Sequence, residues 1–132
     1  MIGIDTNVLV RYFTEDDDIQ AKLAAKLIEK HSGEGKSILI NNIVVCELIW
    51  VLIRCYNYNK SQIITIVKGM LSTIEFAFED YSLLLNSIID YDEKEADFAD
   101  ILLGNINLNK DYNTTFTFDR KASCLESFKI IE

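Results

Sequence analysis

The chain has 132 residues, the size of one domain, and a second folded unit would leave neither half a proper core, so a single domain over residues 1–132 is expected. Hydrophobic residues make up 49% and charged residues 26%, with a mean hydropathy of +0.11, which excludes a disordered tail or linker. The formal charge of 13 − 21 = −8 and a pI near 4.6 repel nucleic acid in bulk, so a polyanion must be met by a local basic patch or by metal ions.

The longest apolar stretch, Ile43 to Ile53, is interrupted by Glu47 and falls short of the ~18 residues of a membrane span. A strand is expected to begin at Ile2, and with it no signal peptide is expected. The three cysteines, Cys46, Cys55 and Cys124, are odd in number and lack CxxC spacing, which predicts buried free thiols in a reducing cytoplasm.

Proline is absent, so helix ends must be read from caps, glycines and changes of period. Ile2 to Ile4 reads as a short strand, and Thr6 to Phe13 as a helix with Asp5 as a possible cap. Ile19, Leu23 and Leu27, with Ala24 and Ile28 beside them, recur at helical spacing, and Asp16 to Asp18 suit the positive end of that helix. Ser37 to Ile40 is a strand, followed by Ile43 to Cys55, too long and apolar for a strand and read as a buried helix. Lys60 to Ser72 is helical, Ile74 to Phe78 strand-like, and Tyr81 to Asp90 and Glu95 to Leu108 helical. Thr114 to Phe118 and Phe128 to Ile131 close the chain as strands. Strands alternating with helices predict an α/β fold: a three-layer α/β/α domain around a central parallel sheet of about five strands.

Open parallel sheets place their sites at the carboxyl ends of the strands. Asp5 follows the first strand and Asp119 the strand Thr114 to Phe118. Glu47 lies early in the helix leaving Ser37 to Ile40. Asp97 and Asp100, three apart, share a face near the start of the helix from Glu95, with Gly104 expected to leave open space one turn on. Phe98, Ile101, Leu102 and Leu108 take the adjoining face as core. Glu47 sits among apolar neighbours, where an unpaired buried carboxylate costs several kcal/mol; the structural alternative is a pair with Arg54. Asp5 and Asp119 could simply cap helices, and Asp100 could be a first-turn dipole partner. Gathered at one edge, such carboxylates raise one another's pKa unless cations intervene, and ligands that are all oxygen select Mg²⁺ or Mn²⁺ over zinc. His31 and Cys46 look uninvolved.

Ions of this kind beside a phosphodiester give metal-dependent nuclease chemistry. Arg11, Arg54 and Arg120, with Lys22, Lys26, Lys60 and Lys121, are candidates for contacting an RNA backbone, although most lysines read as solvated faces. Thr6, Asn7 and Thr117 flank the carboxylates and could orient ligands or waters, with turn and cap roles equally ordinary.

The segments IDTNVLVRYFTEDD, NNIVVCELIWVL, DFADILL and TFDRKA, in order and correctly spaced over nearly the whole chain, resemble the PIN domain, in particular the VapC-like toxins of type II toxin–antitoxin systems. The resemblance implies a Mg²⁺- or Mn²⁺-dependent endoribonuclease whose catalytic, metal-binding quartet corresponds to Asp5, Glu47, Asp100 and Asp119, with Asp97 assisting. It also implies a small cognate VapB-like antitoxin that occludes the site, and a homodimer or toxin–antitoxin hetero-oligomer. Departures from the pattern are Asn41 and Asn42 ahead of Val44, Gly104 where alanine is usual, and the polar Asn105, Asn107 and Asn109.

A haloacid dehalogenase-like phosphatase needs DxD after the first strand, where this chain has Asp5-Thr6-Asn7, and a receiver-type phosphoacceptor fits poorly. The remaining alternative is a catalytically inactive PIN-like module that binds RNA or protein.

Overall fold

A computed structural model describes residues 1–132, and the chain forms two compact units, Met1–Tyr81 and Ser82–Glu132. The first unit runs β1 (Ile2–Gly3), α1 (Thr6–Thr14), α2 (Asp18–Lys30), β2 (Ile38–Ile40), α3 (Asn42–Tyr56), α4 (Lys60–Leu71) and β3 (Phe76–Phe78). The helix α5 (Tyr81–Glu93) leads into the second unit, which continues through α6 (Phe98–Asn109), β4 (Thr115–Thr117), a 3-10 turn at Ala122–Cys124 and β5 (Phe128–Ile130). The class is α/β, and all five strands are parallel, in two sheets ordered β1-β2-β3 and β4-β5.

With no proline to end them, the helices are bounded by side-chain caps and left-handed residues. Asp5, Asp17, Asn41 and Asn59 each accept a backbone N–H at a helix start, and Gln62 returns a bond to the Asn59 amide to complete a capping box. Glu15 and Asn57, at φ 54 and 55, stop α1 and α3 by turning into the left-handed region and donating back to Arg11 and Leu52 carbonyls.

In the first unit, Ile38 lies between Ile2 and Phe76, and Leu39 between Gly3 and Ala77. Ile38 and Ile40 are fully buried with Leu9, Leu48, Leu52, Ile63 and Met70. The second unit buries Leu84, Ile88, Phe98, Ile101, Leu102 and Phe128. Its fully buried Ser87 is satisfied by Asn105 Nδ2 at 3.0 Å.

Several expectations about packing fail. In α2 the inward face is Ala21, Ala24 and Ile28, while Ile19 and Leu23 are 75% and 61% exposed; the small alanines turn inward and the bulky residues are left outside. α3 is not buried all round. Val44, Val45, Leu48, Ile49 and Leu52 face the core, but Ile43, Glu47, Trp50 and Arg54, spaced four, three and four apart, are exposed together. Leu108 is exposed, being in the last turn of α6. The cysteines are free, but only Cys46 is half-buried, with burial pushing its thiol up to about 11, and Cys55 and Cys124 are exposed. No helix is long and apolar enough to cross a membrane.

Candidate active site

The first unit brings together Asp5, Thr6 and Glu47. β1 ends two residues before Asp5, whose extended backbone turns the chain into α1 and whose Oδ1 accepts the Thr6 amide at 2.7 Å. Thr6 is buried, and its Oγ1 donates to Glu47 Oε1 at 3.0 Å, so one residue ties the start of α1 to the second turn of α3. Glu47 is exposed and hydrogen-bonded to Thr6, which corrects the expectation of a buried carboxylate and sets aside the alternative of a pair with Arg54. The apolar sequence around Glu47 misled because its nearest helix-face neighbours point outward. Asn7 is exposed.

The start of α3 holds a polar contact that the sequence reading missed. Glu79, just past β3, accepts the Asn42 amide on its Oε1 at 2.6 Å, as a carboxylate at a helix N-terminus should. Asn42 Oδ1 is buried without a hydrogen-bond partner. The usable signal was the acidic residue directly after a strand, the same signal that singled out Asp5 and Asp119.

The second unit brings together Asp97, Asp100, Asp119 and Lys121. α6 starts at Phe98, later than expected, so Asp97 is the N-cap residue rather than a member of a helical face shared with Asp100. Its side chain makes no capping bond and instead pairs with Lys121 Nζ at 3.1 Å. Asp119 is held by its own turn: its amide donates to Thr117 Oγ1 at 2.9 Å, and its Oδ1 accepts the Lys121 amide at 2.8 Å. Asp100, half-buried in the first turn of α6, has its carboxyl pushed above the ordinary range by burial first, then by the negative charges of Asp119 and Asp97, while Lys121 pulls it down. Hydrogen bonding to Asp97 holds the Lys121 ammonium above its usual range.

Gly104 does not leave open space. A Cβ there would lie 2.6 Å from Phe128 Cε1 and 3.0 Å from Ser127 Oγ, so the buried Phe128 ring occupies the place of an alanine methyl.

Of the basic candidates, Arg11 is engaged in a surface network. It reaches Asp16 at 2.9 Å and Gln20 at 2.7 Å, while Tyr56 donates its hydroxyl to Asp16 at 2.6 Å. That network draws Asp16 down to about 2, chiefly through the Tyr56 hydroxyl. Arg54 and Arg120 are exposed. A groove of about 480 Å³ between α1 and α2 is lined by Asn7, Val8, Arg11, Gln20, Leu23, Ala24 and Leu27 and contains none of the candidate carboxylates.

No three His, Cys, Asp or Glu side chains stand close enough together to hold an ion. The chemistry of the donors nevertheless fits a hard divalent cation: they are carboxylates, and those around Asp100 repel one another with a single lysine as counter-charge.

A model of the PIN domain matches residues 2–121. The chain therefore belongs to the PIN domain family, whose members are in general metal-dependent nucleases. No curated protein and no solved structure matches the chain at a significant level.

Proposed function

We propose that the chain is a Mg²⁺- or Mn²⁺-dependent endoribonuclease, the cytoplasmic toxin of a toxin–antitoxin pair, held inactive by a small VapB-like antitoxin and working as a dimer or within a toxin–antitoxin assembly. The observation that carries this reading is the match of the PIN domain model to residues 2–121; burial first, and then the negative charges of Asp119 and Asp97, also disfavour the ionised Asp100, a penalty that a divalent cation would relieve. Membership of the PIN family and the order of the four acidic motifs support it.

Asp5, Glu47, Asp100 and Asp119 are the residues assigned to hold the metal, with Asp97 released from Lys121 as an additional ligand. A bound divalent ion supplies charge neutralisation at the phosphodiester and activation of the attacking water. Thr6 fixes the rotamer of Glu47 by donating to Oε1 and leaves the other oxygen free. Thr117, through the Asp119 amide, sets the turn that presents Asp119. Arg54 and Arg120 are assigned to backbone phosphates; Arg11, bound to Asp16, needs that pair to open first.

The test is cleavage of a labelled RNA by purified protein in Mn²⁺ and in EDTA, with Asp100→Asn as the control. Metal-dependent cleavage lost in Asp100→Asn is expected. Cleavage that persists in both EDTA and the variant contradicts the assignment. Growth arrest on expression, relieved by the product of a small adjacent gene, tests the antitoxin.

A further inference from the structure

Lys121 is tied to the acidic residues of the second unit twice. Its amide donates to Asp119 Oδ1 at 2.8 Å, and its Nζ donates to Asp97 Oδ1 at 3.1 Å. Its charge also acts on Asp100. One ammonium therefore faces all three carboxylates that this unit contributes to the candidate site.

Stability does not account for the Asp97–Lys121 pair. Asp97 holds the N-cap position of α6, where an aspartate ordinarily accepts an amide of the first turn and so stabilises the helix, yet it makes no such bond. Its carboxylate turns to Lys121 instead, and both side chains stay open to solvent, the lysine 58% and the aspartate 66% exposed. A pair this open contributes little to folding, so a useful cap is given up for a contact of no greater worth. The chemistry of the site gives the pair a purpose. An ammonium donates to the carboxylate lone pairs that a hard cation takes as ligands, and its positive charge opposes the approach of a second cation. The flexible stem of a lysine lets the charged end swing away while the backbone stays bound to Asp119.

We propose that Lys121 is a tethered counter-ion: it occupies Asp97 in the metal-free protein and competes with the divalent cation for that carboxylate, so that metal binding displaces the ammonium. This role rests on the metal-binding reading above and adds to it a residue that lowers the affinity of the site. The same ammonium offsets the repulsion among the carboxylates when no metal is present.

The test is calorimetric titration of Mn²⁺ into the full chain as wild type, Lys121→Met and Lys121→Arg, with melting curves of each in EDTA. Lys121→Met keeps the backbone amide that holds Asp119, so only the charge is lost. It should bind Mn²⁺ about two- to fivefold more tightly than the wild type, the range that corresponds to an exposed ion pair, and should melt lower in EDTA. Lys121→Arg, which keeps the charge, should bind as the wild type does. In an Asp97→Asn background the gain from Lys121→Met should shrink, because the contested carboxylate is gone. Affinity that is unchanged or weaker in Lys121→Met overturns the competition and, with Mn²⁺ still bound by the wild type, leaves the metal reading standing. A gain of equal size in the Asp97→Asn background also overturns it. A wild type that binds no Mn²⁺ removes both.

Discussion

Thr6 Oγ1 donates to Glu47 Oε1 at 3.0 Å, so a buried hydroxyl at the start of one helix orients an exposed carboxylate on another. Thr6→Val keeps the shape and removes the donor. Stability should fall by about 1 kcal/mol. If Glu47 holds the metal, Mn²⁺ affinity or cleavage should drop by about 10- to 100-fold, the usual effect of losing a residue that orients a ligand. Thr6→Ser should restore both. Calorimetric titration of the two variants checks this, and a valine variant with full affinity removes Glu47 from the site.

Asp100 yields a pH dependence. Its carboxyl is raised, by burial first and then by Asp119 and Asp97, so the folded state holds this proton more tightly than the unfolded state, where the value is near 3.8. Ionisation therefore works against the fold above the raised pKa, and the penalty disappears as pH falls below the unfolded value. In EDTA, Asp100→Asn should melt at or above the wild type at neutral pH, with the difference closing below about pH 4. Adding Mn²⁺ should reverse the order. Melting curves across pH, with and without metal, check both statements.

Asp16 behaves oppositely. The Tyr56 hydroxyl, then Thr14 and Arg11, hold its carboxyl at about 2, below the unfolded 3.8. The resulting stability is present above about pH 4 and is lost as pH falls towards 2. Tyr56→Phe should be less stable than the wild type near neutrality, and the gap should shrink steadily over that acid range. A gap independent of pH would mean that Tyr56 acts by packing alone.

Gly104→Ala places a methyl 2.6 Å from Phe128 Cε1. Overpacking costs about 1–3 kcal/mol and alanine returns about 1 kcal/mol of helix propensity, so a net loss of about 1 kcal/mol is expected in denaturant melts. Combining it with Phe128→Leu should make the alanine better tolerated than it is alone. Strict additivity would show that the ring is not what excludes the methyl.

The sequence carried the element order well, because caps such as Asp5 and the Asn59–Gln62 box are local and survive packing. It also placed Asp5 and Asp119 just past the ends of β1 and β4. What it concealed was orientation. Glu47 lies in an apolar run yet is exposed, since composition does not tell which of its neighbours share a helix face. The space beside Gly104 was filled by Phe128, which is distant in sequence, and Ile19 and Leu23 were left outside by two small alanines. The Asp97–Lys121 pair was hidden because Asp97 turned out to be a helix cap whose side chain does not cap.

Asp100 and Asp119 are proposed to hold a divalent metal. Calorimetric titration of Mn²⁺ into wild type, Asp100→Asn and Asp119→Asn tests it most directly. Saturable binding by the wild type, weakened at least about tenfold in each variant, is the result expected if both are ligands. Absence of binding to the wild type, or equal affinity in all three proteins, would contradict it.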